Sequence, residues 1–149
     1  MGVMIENKTG ARITKEAVRA VAEWWGKIVG APQRHFAGEG TELAGALLDA
    51  FNGGHNENGS ESRFVDLLEE RLTERIKEAD CLYDVNECLD VDYGAPKFLV
   101  DIAKETGVHQ NSFPWKTFCR FDFEGNASGR NGYQSEWEDI YTEKMEATA

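Results

Sequence analysis

From Thr14 onward, Val18, Val21, Ala22, Trp25 and Val29 recur at steps of three and four residues until Gly30, with Pro32 just beyond. That spacing puts them on one face of a helix, capped by Thr14 and stopped by the glycine and proline. Trp24 points about 100° away from Trp25 around such a helix. Either the two rings flank one broad buried stripe, which is the reading preferred on pattern, or one of them meets a second contact surface. Residues 30–40 read as a connector containing Gly30, Pro32, Gly38 and Gly40. A second helix is expected over Thr41 to Phe51, with Leu43, Ala44, Leu47, Leu48 and Phe51 as its apolar stripe. Residues 52–60, rich in Gly and Asn, read as the most mobile loop. The clearest 3.6-residue period predicts a third helix from Glu61 to Ala79. Phe64, Leu67, Leu68, Leu72, Ile76 and Ala79 lie on one side, and Glu69, Glu70, Arg71, Glu74, Arg75 and Lys77 on the other.

The pattern then changes period. Leu89, Val91 and Tyr93 alternate with Asp90 and Asp92, which predicts a half-buried strand from Cys88 to Tyr93. Gly94 turns the chain, Pro96 opens a short fourth helix carrying Phe98, Leu99, Ile102 and Ala103, and Gly107 ends it. After Pro114, a second strand is expected over Trp115 to Phe123, with Thr117, Cys119, Phe121 and Phe123 on one face. Glu124-Gly125-Asn126 is a hairpin signal that returns a Gly-rich third strand through residues 127–133. Ser135 can cap a last short helix from Glu136 to Lys144, anchored by Trp137, Ile140 and Tyr141. Residues 1–12 read as a loose arm or a short added strand. The expected architecture is therefore α+β in a single domain over 1–149: N-terminal helices packed with a small antiparallel sheet that carries one inserted helix.

Composition supports a folded chain. Its 149 residues, 41% hydrophobic with sixteen aromatics, suffice for one core without disulfide or metal staples. No run approaches the roughly 18 apolar residues of a membrane span, and Met1 to Glu6 lacks the features of a secretion signal or a myristoylation site. The expected location is the cytoplasm. Cys81, Cys88 and Cys119 are odd in number and match neither zinc-knuckle nor CxxC spacing, so they read as reduced structural thiols. His35, His55 and His109 lie in no nucleophile signature that would activate one of them.

Charge changes the picture most. The formal net charge is -11, the opposite of what a nucleic-acid binder carries. Between Glu57 and Asp92 there are 12 acidic and 4 basic residues, and the tail from Gln134 adds five acids against Lys144, whereas residues 1–40 have six basic and four acidic. If the acidic segments share a face, that face repels phosphates and attracts a cationic groove over about 10 Å at moderate salt. The plainer alternative is a solubilising surface.

The segments Val91-Asp92-Tyr93-Gly94-Ala95-Pro96 and Phe113-Pro114-Trp115-Lys116-Thr117, with Gly132-Tyr133 behind them, resemble small uncharacterised proteins carried by phages and mobile elements of Gram-positive bacteria. The resemblance is strongest over residues 89–133. Its motifs are aromatic and turn residues, so it implies a fold and a genomic setting without naming a reaction.

Chemistry-bearing motifs are sparse. Asp84, Glu87, Asp90 and Asp92 are oxygen donors in a short span, but they lack the glycine and terminal glutamate of an EF-hand loop. His109 follows a turn and is a candidate general base toward a pocket lined by Tyr93, Trp115 and Tyr133 between the sheet and the first helix, where a nucleotide base could stack. Gly125 to Arg130 is a weak phosphate cradle, with no helix after it. No Walker loop, Rossmann glycine set, nucleophile elbow or HExxH is present, and no cofactor, metal ligand or catalytic residue is assigned. The combination points to an acidic inhibitor of anti-CRISPR type. Glu69, Glu70, Glu74, Asp84, Glu87, Asp90 and Asp92 would occupy the basic nucleic-acid channel of a host nuclease, with no direct contact to nucleic acid or membrane. The alternatives are a small hydrolase or sponge for nucleotide signals, or a phage structural accessory.

Overall fold

The computed structural model describes residues 2–30, 56–109, 112–132 and 136–143. The helix expected over Thr41 to Phe51, the connector beyond Gly30 and Tyr133 lie outside these residues. Helix α1 spans Lys15–Gly30 and begins where Thr14 accepts the Ala17 amide on its hydroxyl at 3.1 Å, as an N-cap should. Helix α2 spans Ser60–Glu78 and buries Phe64, Leu68, Leu72 and Ile76 of the predicted stripe, with Ala79 buried at its cap, Leu67 half-buried and Val65 buried in addition. The two helices run antiparallel, since Gly26 abuts Val65 and Gly30 abuts Glu61 while Arg19 reaches Asp66 and Glu69 further along. A side chain at Gly26 would collide with Val65, so glycine there permits the close approach.

Helix α3, Leu82–Asn86, runs into a 3-10 turn at Glu87–Leu89, and helix α4 spans Lys97–Thr106. Pro96 stands at the cap, and Gly107, at φ +82, closes α4 by donating its amide to Ala103. The strand expected over Cys88 to Tyr93 does not form. Asn86 explains why: its Oδ1 accepts the Phe121 amide at 2.9 Å and its Nδ2 donates to the Phe121 carbonyl at 3.1 Å, so a side chain takes the place of a neighbouring strand. Only Val91 reaches the sheet, through an isolated bridge to Thr117. Helix α4 lies in the excursion between those two bridge partners, and so leads into the sheet instead of being inserted between its strands.

The sheet is antiparallel, β1 (Phe118–Phe121), β2 (Ala127–Arg130) and β3 (Glu138–Tyr141), in the order β1-β2-β3. The β1–β2 hairpin turns on Asp122, whose Oδ1 accepts the amides of Glu124 and Asn126, and on Gly125 at φ +92. Residues 138–141 were expected as part of a helix over Glu136 to Lys144, and they form a strand instead. Ala127 pairs with Tyr141 and Ser128 with Asp139, which leaves Ile140 as an extra residue in a bulge. The bulge puts Ile140 and Tyr141 both at half-buried positions, and this mimics helical spacing.

The first residues are not a loose arm. Met4 bridges Thr14, the Ile5 amide bonds to Ile13 at 2.9 Å, and Ile5, Ala11 and Ile13 are buried. The Arg12 amide donates to the Phe123 carbonyl at 2.9 Å, which ties this segment to the hairpin. The two tryptophans serve two surfaces: Trp25 is fully buried in the core, and Trp24 lies over Gly129 and Ile140 and donates to Glu138 Oε1 at 2.6 Å. A Cβ at Gly129 would stand 2.6 Å from Trp24 and 2.8 Å from Ile140. Gly129→Ala is therefore expected to cost about 1–3 kcal/mol of folding stability by overpacking, measured by urea denaturation with tryptophan fluorescence. An unchanged midpoint would contradict this packing.

Candidate interaction surface

The seven carboxylates singled out by the sequence fall into two groups. Glu69, Glu70 and Glu74 share the solvent side of α2 and line an open groove of about 530 Å3 against Lys15, Glu16 and Arg19 of α1. Arg19 Nε bonds to Glu23 at 2.9 Å, and its Nη1 reaches Asp66 at 2.9 Å and Glu69 at 3.5 Å. Its hydrogen bond to Asp66, then that to Glu23, holds the guanidinium above its ordinary pKa. These pairs are exposed, so their contribution to stability is small. Their effect is local neutralisation of Glu69. Among the described residues, neither Glu70 nor Glu74 makes an ion pair within 4.0 Å, and both are exposed. They stand one turn apart, about 6 Å along the axis.

Asp84, Glu87, Asp90 and Asp92 form the second group, on α3, the 3-10 turn and the segment that bridges β1. Burial pushes the Cys88 thiol up, Arg75 opposes this, and the charges of Glu87, Asp84 and Asp90 add to it. Asp84 and Glu87 make no ion pair among the described residues. Asp92 pairs with Lys116, whose Nζ also lies 4.3 Å from the centre of the Tyr93 ring. Asp90 is half-buried, and its Oδ1 meets no hydrogen-bond donor among the described residues. Burial raises its pKa, Arg120 opposes the rise, and Glu87 and Asp92 reinforce it. No three of the described His, Cys, Asp or Glu side chains converge where a metal ion could be held.

The expected pocket between sheet and first helix is not formed by Tyr93 and Trp115. These two rings are 64% and 42% exposed and pack on each other at 6.0 Å, while Trp24 and Ile140 meet where α1 crosses the sheet. His109 stands beside Asn56, which accepts the His109 amide at 2.8 Å and donates to the Val29 carbonyl at 2.8 Å. Asn56 belongs to the segment read as the most mobile loop, yet it staples α1 to the end of α4. Burial also pushes the Cys119 thiol up, and Cys88 and Cys119 are buried and unbridged while Cys81 is exposed. Among the described residues no helix is long and apolar enough to cross a membrane.

No family model matches the chain, and no curated protein or solved structure matches it either.

Because the folded pKa of Asp90 lies above its unfolded value of 3.8, the native state holds the proton more tightly than the unfolded one. Stability from this group is therefore fully present below the ordinary carboxylate range and is lost as pH rises through the raised value. Asp90→Asn is expected to raise the urea midpoint at neutral pH and to lose that advantage in acid. A lower midpoint at neutral pH would show that the carboxylate is needed charged, against Arg120.

Proposed function

We propose that the protein is an acidic inhibitor that binds the cationic nucleic-acid channel of another protein, a bacterial defence nuclease of the CRISPR effector kind, in the cytoplasm of a host cell. The observation that carries this reading is the pair Glu70 and Glu74 on α2, with Asp84 following on α3 and Glu87 in the 3-10 turn, all outside the ion pairs that neutralise Glu69 and Asp92. A chain of net charge -11 that leaves these carboxylates outside ion pairs among the described residues attracts basic surfaces and repels polyanions, although Lys15, Arg19 and Lys77 share the groove of Glu70 and Glu74. Such charges accelerate encounter more than they deepen affinity. The sequence resemblance to small phage and mobile-element proteins fits an inhibitor that acts against host defence.

Binding to a CRISPR effector is expected to be strong without guide RNA and reduced when the channel is filled. Its association rate should fall steeply with added salt. Glu70→Lys combined with Glu74→Lys should slow association about tenfold with little change in the dissociation rate, measured by stopped-flow or surface plasmon resonance. Association that is indifferent to salt and to both substitutions would overturn the proposal.

A further inference from the structure

The outer face of the sheet differs in chemistry from the rest of the surface. Val91 and Thr117 are fully buried, so their neighbours Asp90, Asp92, Lys116 and Phe118 project to the opposite side. The alternation continues along β1, where Cys119 and Phe121 face the core and Arg120 faces out. Across the ladder, Phe118 pairs with Arg130 and Arg120 with Ser128, and Ser128 pairs in turn with Asp139, which places all of these on the outer face. The Arg120 guanidinium lies 5.4 Å from the ring centre of Trp137, which is 45% exposed. At the other end, the ladder bonds between Val91 and Thr117, both 2.9 Å, and the Lys116 amide to the Asp92 carbonyl at 2.8 Å hold the exposed Tyr93–Trp115 pair on a rigid clasp. Lys116 itself sits at φ +60, a left-handed conformation rare outside glycine, and there its ammonium covers Tyr93 and meets Asp92.

Two properties follow. Exposed Trp and Tyr beside Arg, supported by regular hydrogen bonds, is the composition of an interface centre. Among the described residues the charges also balance: Lys116, Arg120 and Arg130 stand with Asp90, Asp92 and Asp139, three cations with three carboxylates on a chain of net charge -11. The excess carboxylates lie elsewhere on the chain, notably between Asp80 and Glu87. A balanced, mixed-sign surface is complementary to itself under a two-fold axis, because one copy's cations can lie over the other's carboxylates while aromatic rings fill the centre. A nucleic acid would meet three carboxylates on the same face, which argues against it as the occupant.

We infer that the outer face of the sheet, centred on Phe118, Arg120 and Trp137 with the Tyr93–Trp115 clasp at its edge, is the surface through which two copies of this chain form a two-fold dimer. The inference is independent of the proposed inhibitor activity. The carboxylates of α2 used there do not enter the dimer contact.

Sedimentation velocity on the full chain across about 1–300 μM tests it, a range that brackets the micromolar dissociation constants of modest interfaces. A concentration-dependent monomer–dimer equilibrium is expected, unchanged or strengthened by added salt, because salt screens the overall repulsion. Arg120→Glu and Trp115→Ala should each weaken the dimer at least tenfold, while Glu70→Lys with Glu74→Lys should leave it intact. Near-UV circular dichroism shows whether each variant keeps the fold, and Arg120→Glu, an exposed change, keeps the test decisive if Trp115→Ala unfolds. A monomer at every concentration, a dimer indifferent to both outer-face substitutions, or growth beyond two copies would each overturn the inference.

Discussion

Trp24 and Trp25 are consecutive on α1 and meet two different partners, and the rest of the structure hangs on that division. Their rings lie 5.2 Å apart and nearly perpendicular. Trp25 enters the helical core, where it meets Phe113 edge-on at 5.9 Å, and Phe113 in turn packs on Phe64 of α2 at 5.9 Å. Trp24 turns to the sheet, where only a glycine at 129 leaves room for its ring. One helix thereby fixes the helical layer on one side and β2–β3 on the other. Truncating a fully buried aromatic such as Trp25 costs about 3–5 kcal/mol, more than an exposed ion pair contributes.

That joint also decides where the charges go. The inward faces of α1, α2 and β1 are filled by aliphatic and aromatic side chains, so the carboxylates of these elements stand on their solvent sides. Long-range partners then sort them. Arg19 gathers Glu23, Asp66 and Glu69, and Lys116 takes Asp92, whereas the exposed Glu70, Glu74 and Glu87 and the half-buried Asp84 make no ion pair among the described residues. The outer face of the sheet carries cations and carboxylates in equal number. Among its described residues a single acidic chain thus presents carboxylates outside ion pairs on α2 and the α3 segment and a charge-balanced outer sheet face, each suited to a different kind of contact.

Much of the helical architecture was legible in the sequence, because a 3.6-residue period over nineteen residues, as in α2, leaves no competing reading. The caps Thr14 and Gly107 were legible for the same local reason. The strands are only four residues long, and four residues cannot separate a bulged strand from a helical turn, as Trp137, Ile140 and Tyr141 show. The missing strand at residues 88–93 depends on Asn86 reaching Phe121, thirty-five positions away, which no local pattern encodes. Nor does any pattern show that Asn56 is a staple or that Lys116 adopts φ +60. For the acidic surface the sequence located the carboxylates, but which of them are neutralised is a property of the tertiary pairing with Arg19 and Lys116.

The contrast between the carboxylates of α2 and the α3 segment and the balanced outer sheet face can be read directly by NMR, by comparing the paramagnetic relaxation that a cationic and an anionic nitroxide of the same size induce in backbone amides. The expected result is a strong excess of the cationic probe around Glu70, Glu74, Asp84 and Glu87, and no preference around Phe118, Arg120 and Ser128. Equal enhancement of both probes around the α2 carboxylates, or an excess of cation spread evenly over both sides, would contradict it.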